Sequence, residues 1–197
     1  MRPVKRLSAL AILPLLAACT GQALAPTPAA VDLEAEERAV YAALLADQYP
    51  APGYVIMDST ATGLDGVADL DETLGIVNAQ LPGVADETME DFQGRNLTTQ
   101  PFAADLPLGV AYTLFSLEDM RLLFAENQNG WDLFYNRYPA SNGIITFSKA
   151  GFNLAVDQAL VYVGIQSGWH SGSGAFYLLA KLEGIWHVVT QTLTWVS

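Results

Sequence analysis

The chain has 197 residues, with 9 Lys+Arg against 21 Asp+Glu, 2 His and one Cys, and 51% of it is apolar. That length and composition suit one domain with a sizeable core plus a short appendage. The formal charge of −12 argues against nucleic acid as a partner, since phosphate binding needs clustered Lys and Arg. The single Cys excludes an internal disulfide framework and multi-cysteine zinc or iron–sulfur sites. No residue pattern calls for a cofactor.

Arg2, Lys5 and Arg6 precede an apolar run from Leu7 to Leu16 that contains Pro14. A charged start followed by a short apolar stretch has the form of a secretory signal and is short for a membrane span. Leu16-Ala17-Ala18-Cys19 resembles the bacterial lipobox, in which a Cys is lipidated and becomes the mature N-terminus. The expected layout is a signal peptide over 1–18, then Cys19 and a tether over 19–31, then one domain over 32–197. Two or three acyl chains would hold the protein on a membrane, where one chain holds only marginally. Thr20, in place of Asp, implies outer-membrane sorting in a Gram-negative cell, with the domain facing the periplasm. Residues 20–31 carry no charge and two prolines, and reach at most about 40 Å. Removal of Arg2, Lys5 and Arg6 leaves 6 cations against 21 acids, a net of −15.

Leu33, Val40, Tyr41, Leu44 and Leu45 recur at helical spacing and predict an amphipathic helix over 32–48, capped by Asp32. Residues 54–57 read as a strand, and 59–84 give no clear pattern. Helices are expected over 86–95, 117–127 and 131–137, with a strand over 109–115. Ser116 and Asp119 have the spacing of a capping box. From residue 143 four strand-like runs follow, at 144–148, 158–164, 175–181 and 186–196, with turn residues between them. Short connections imply an antiparallel meander. The expected class is α+β: an antiparallel sheet, including this C-terminal four-strand meander, packed on one face by several helices. Large apolar residues on both faces of 184–197 predict a central strand. Strict alternation there places Trp186, Val188, Thr190, Thr192, Thr194 and Val196 together, with Trp186 against Trp131, Phe134 or Tyr135 and His187 toward solvent.

Residues 32–91 hold 14 acids and one base, Arg38. They form either a solvated, repulsive face or a docking face for a basic or cationic partner. Asp65, Asp69, Asp71 and Glu72 are the best calcium candidates, although their spacing is not that of an EF-hand. Gly168 to Gly174 is not a phosphate cradle, because a strand rather than a helix follows. Its glycines are expected to supply positive φ in a long hairpin connection. Trp169 and His170 at the tip form a candidate contact loop, with ordinary loop packing as the alternative. A Ser148–His170–acid set can be assembled on paper, but no Gly-x-Ser-x-Gly elbow accompanies it.

Trp131-x-x-Phe134, Tyr138-Pro139, Gly143-Ile144-Ile145-x-Phe147-Ser148, Gly151-Phe152-Asn153 and Gln158 to Val163 occur in this order. Gly172-x-Gly174, Tyr177-x-Leu179, Lys181, Gly184-x-Trp186-x-Val188 and Thr194-Trp195-Val196-Ser197 follow. This last third of the chain resembles a family of uncharacterised bacterial exported proteins and lipoproteins. No catalytic residue carries over from that resemblance. The stretch from Tyr177 to Val188 also resembles the last hairpin of cone-shaped folds such as nuclear transport factor 2, which implies a curved sheet around a pocket. Two functional classes follow: a membrane-anchored, non-catalytic binding or envelope-associated module, or a pocketed enzyme or small-ligand binder with an acid or His as general base.

Overall fold

A computed structural model describes residues 31–62, 70–102, 105–109, 111–124 and 129–197, without the side chains of 70–73. The lipidation candidate Cys19 and the tether up to residue 30 lie outside the described residues, as do Asp65, Asp69 and the carboxylates of Asp71 and Glu72. The elements in chain order are α1 (Leu33–Gln48), β1 (Gly53–Met57), α2 (Leu70–Gln80), α3 (Asp86–Arg95), β2 (Ala111–Phe115), α4 (Leu117–Phe124) and α5 (Gly130–Arg137). β3 (Ile144–Phe147), β4 (Gly151–Phe152), β5 (Gln158–Gly168), β6 (Ser171–Leu182) and β7 (Ile185–Val196) complete the sheet. None of the described helices is long and apolar enough to cross a membrane.

The class is α+β, built on a seven-stranded mixed sheet in the order β2-β1-β3-β5-β6-β7, with β4 beside β5. β1 runs parallel to β2 and β3. The chain from β3 onward is antiparallel, and the expected meander is there. β3 and β4 lie along the same side of β5, separated by 148–150. At that break the Ser148 hydroxyl accepts the Tyr162 N–H at 2.8 Å, standing in for a ladder carbonyl.

Local chemistry sets the helix starts as expected. The Asp32 carboxylate accepts the N–H groups of Glu34 and Ala35, both at 3.1 Å, satisfying orphan donors of α1. Asp119 accepts from Ser116 Oγ at 2.7 Å and donates its own N–H back to that hydroxyl at 3.0 Å, closing the capping box of α4. α3 has no cap on its own chain segment. Gln158, at the start of β5, takes that role by accepting from Ala85 N at 2.7 Å and Thr88 Oγ1 at 2.9 Å.

Helices cover both faces of the sheet, not the single face expected. Val40, Tyr41, Leu44 and Leu45 of α1 pack on one face, against Ile56, Phe147, Val161, Tyr177 and Leu179. On the other face Val77, Leu81 and Phe92 of α2 and α3 meet Leu160, Tyr162 and Phe176. Trp131 and Phe134 of α5 meet Val55, Phe115 and Ile144 on that same face. Alternation along β5 and β6 feeds both sides, so these strands are buried without a break over 159–164 and 174–179.

β7 departs most from expectation. It is an edge strand rather than a central one. Its register against β6 skips Val189 and Thr194, so two bulges interrupt the alternation. Trp186 and Val188 face α1, whereas Thr192 hydrogen-bonds Gln80 of α2 on the opposite face. Trp186 is buried as expected but packs on Phe152, with ring centroids 5.8 Å apart, rather than on α5. Its Nε1 donates to Glu36 of α1 at 2.9 Å. His187 faces solvent.

Gly172 and Gly174 are not turn glycines. Both lie in β6, and neither has positive φ. A side chain at Gly174 would run into Trp195 and the Tyr162 hydroxyl, and one at Gly172 would meet the carbonyl of Ile165. These glycines clear space for the Trp195 indole, whose Nε1 donates to Tyr162 Oη at 2.8 Å. Close approach, rather than turn geometry, is their reason for being there.

Candidate functional site

Two constellations stand out, one buried and one open. The buried one centres on Glu37, which falls on the apolar stripe of α1 and is 2% exposed. Its carboxylate accepts from Lys149 Nζ at 2.8 Å, from Ala150 N at 2.9 Å, and lies 3.3 Å from Arg95 Nη2. Arg95 also donates to the Ala150 carbonyl and covers the Phe152 ring. Asn96 accepts the Lys149 N–H at 2.8 Å and donates to the Lys149 carbonyl at 2.9 Å. Tyr41 donates to the Ser148 carbonyl at 2.8 Å. Burial, and then the neighbouring Glu37 carboxylate, push the Tyr41 hydroxyl well above its ordinary range, so it stays protonated at neutral pH.

This network ties α1 and α3, on opposite faces, to the break between β3 and β4. Buried charge is tolerated when it is paired and hydrogen-bonded, and Glu37 meets that condition. A general base needs a carboxylate or imidazole with a free lone pair facing substrate, whereas Glu37 is committed to three protein donors. Ser148 is committed too. It is fully buried, with Oγ accepting from Tyr162 and donating to the Lys149 carbonyl at 3.0 Å. His170 is exposed in the turn joining β5 to β6. The Ser148–His170 pairing entertained from sequence is therefore not an assembled nucleophile. Among the described residues no three His, Cys, Asp or Glu side chains gather as a metal site.

The open constellation lies where the β5–β6 turn meets α4 and α5. Met120, Phe124, Trp131, Ile144, Gln166 and Trp169 line a cleft of about 150 Å³. Trp169 is half exposed, and its ring meets Phe124 edge-on at 5.7 Å. Phe124 and Trp131 are 4.9 Å apart and tilted by 54°. Trp131 is almost wholly buried, and its Nε1 has no hydrogen-bond partner among the described residues. Such rings offer a large apolar contact area, and an indole N–H normally finds an acceptor when buried. The wall is apolar and aromatic with one amide, Gln166, able to donate and accept.

Of the two residues singled out as a contact loop, Trp169 lines this cleft and His170 does not. Phe124 and Met120 were not legible as its walls, because only the tertiary fold brings α4 beside the β5–β6 turn. Glu37 carried a readable signal, an acid inside a run of apolar positions at helical spacing. Its partners, 58 and more residues downstream, carried none. No family model, curated protein or solved structure matches the chain.

Proposed function

We propose that this is a lipid-anchored protein of the bacterial envelope whose domain over 32–197 is a non-catalytic binding module. In this reading Cys19 carries the acyl anchor, residues 20–31 hold the domain off the outer membrane on its periplasmic side, and the cleft beside Trp169 takes the ligand. The observation that carries the reading is the contrast between the two constellations. The buried acid is fully consumed by its own protein partners, while the aromatic cleft is open and bordered by a half-exposed Trp. The cleft volume suits a single apolar or aromatic ring rather than a large ligand. The resemblance of residues 131–197 to exported bacterial lipoproteins points the same way.

Charge supports a secondary partner. All six Lys and Arg beyond residue 30 lie within 4.0 Å of an acid. The acids left outside these ion pairs, Asp86, Glu87 and Glu90 of α3 among them, attract a basic or cationic partner to the 32–91 region.

Two measurements test the reading. Cys19→Ala should abolish acyl labelling and release from the membrane pellet should follow; unchanged labelling refutes the anchor. Phenol and cyclohexanol, as one-ring probes, should quench or shift tryptophan emission saturably, and Trp169→Ala should weaken that binding about tenfold, roughly 1.4 kcal/mol. Identical titrations in the variant and the unaltered chain refute the cleft.

A further inference from the structure

β7 is an edge strand of the sheet, paired among the described residues with β6 alone. Its 12 residues span about 40 Å at the usual strand rise. Leu182, Ile185, Val189, Leu193 and Val196, on β7 or at the turn leading into it, are all more than half exposed. From Gly184 to Ser197 there is not one Asp, Glu, Lys or Arg, in a chain with 21 acids. Edge strands are ordinarily guarded by Lys, Pro or inward charge as well as by bulges, and β7 has only the bulges at Val189 and Thr194.

Charge identifies the partner. Because every cation beyond residue 30 is already ion-paired, two copies approaching through the acid-rich 32–91 segment would bring surplus acid against surplus acid. The β7 strip is a long surface that two copies can bring together without opposing charges along the strand, and an isologous contact matches like to like. A basic partner, by contrast, would favour the acidic helices. Size is adequate as well. α1 reaches β7 on one face through Glu36 and Trp186, and α2 reaches it on the other through Gln80 and Thr192. The edge is therefore about 20 Å thick, counting roughly one layer spacing on each side. A strip of about 40 by 20 Å gives some 800 Å² per copy, the standard size for a stable interface.

We infer that two copies of this chain associate edge to edge through β7, with the two β7 strands antiparallel across a two-fold axis. Val189, Leu193 and Val196 become buried at the contact. The inference does not depend on the ligand or the anchor.

The test uses the full chain solubilised in detergent. Sedimentation at about 100 µM, where even a modest micromolar dimer is populated, should give twice the monomer mass. With Cys19 replaced by Ser so that no other thiol is present, mild oxidation should give a disulfide-linked dimer for at least one of Val189→Cys, Gln191→Cys and Leu193→Cys, because a symmetric bridge forms only where two Cα atoms come within about 7 Å. In the same Cys19→Ser background, Thr113→Cys on the opposite edge β2 should give none. Val189→Lys combined with Leu193→Lys should yield folded monomers whose melting midpoint no longer rises with protein concentration, whereas that of the dimeric unaltered chain does. A monomeric unaltered chain overturns the inference, as does absence of any β7 crosslink. A dimer that survives the double Lys substitution, or β7 crosslinks in cells to a different protein, would also overturn it.

Discussion

Glu37→Gln separates a structural acid from a functional one. The substitution keeps the size of the side chain and one carbonyl-type oxygen for the Ala150 N–H. It replaces the other acceptor by an amide N–H₂ directed at Lys149 and removes the charge that Lys149 and Arg95 face at 2.8 and 3.3 Å. Hydrogen bonds to charged groups contribute about 1.5–3 kcal/mol each, and breaking a buried pair costs about 3–5 kcal/mol. Lys149 and Arg95 keep 21% and 22% of their side-chain surface in contact with solvent, so both can turn partly outward and recover hydration. The expected net loss is therefore about 2–4 kcal/mol, and for a domain of this size that lowers the melting midpoint by roughly 5–15 °C. Thermal unfolding followed by far-ultraviolet circular dichroism, with urea denaturation as the independent free-energy measure, reads it directly. Groups held for function are commonly kept at the expense of stability, so replacing them raises the melting midpoint. A Glu37→Gln protein more stable than the unaltered chain would refute the structural assignment and make Glu37 a candidate catalytic acid.

Trp186→Ala should destabilise by about 3–5 kcal/mol, because the indole is 4% exposed and wedged against Phe152; a midpoint shift of a degree or two in urea or heat would show that it is not core. Gly174→Ala should cost about 1–3 kcal/mol of overpacking, since the new methyl meets Trp195 and Tyr162, and near-ultraviolet circular dichroism should report the displaced indole. Burial opposes ionisation of Glu36, yet hydrogen bonds from Lys181 and Trp186 outweigh it and hold the carboxyl below its ordinary value of 4.5. The unfolded chain then binds the proton more readily, so this stabilisation is fully present above about pH 4.5 and fades as pH falls through the lower folded value; Glu36→Gln should flatten that acid limb of the stability curve, and an unchanged limb would disprove it. Glu183 has a φ of 51° in the tight turn before Gly184, a conformation that Asn tolerates better, so Glu183→Asn should raise stability by up to about 1 kcal/mol, measured as a higher urea midpoint.

The features legible before folding are those that depend on neighbours along the chain. Asp32 and the Ser116–Asp119 box announce helix starts because a cap acts over two or three residues. The apolar stripe of α1 announces a buried face because 3.6-residue periodicity is local. The four β runs after residue 143 announce the meander because short connections leave little choice but antiparallel pairing. Strand order was another matter. Nothing local in 185–196 distinguishes an edge from a centre: the large apolar residues read as buried on both sides, but Val189, Leu193 and Val196 are exposed. The two bulges that break the alternation depend on the register against β6, which is a property of the pair. Gly172 and Gly174 looked like turn residues because the alternative reason for a glycine, an indole folded across the strand, comes from Trp195 on another strand. The same holds for the two constellations. Glu37 was not singled out from the sequence, because Arg95 and Lys149, which make it a paired buried acid, reach it only when α1 and α3 close on opposite faces of the sheet. The cleft beside Trp169 exists only because α4 and α5 settle beside the β5–β6 turn. Hydrogen-bond caps and periodicity are written in short stretches of chain, whereas charge pairing, close approach and concavity are decided by which distant stretches the burial of apolar surface brings together.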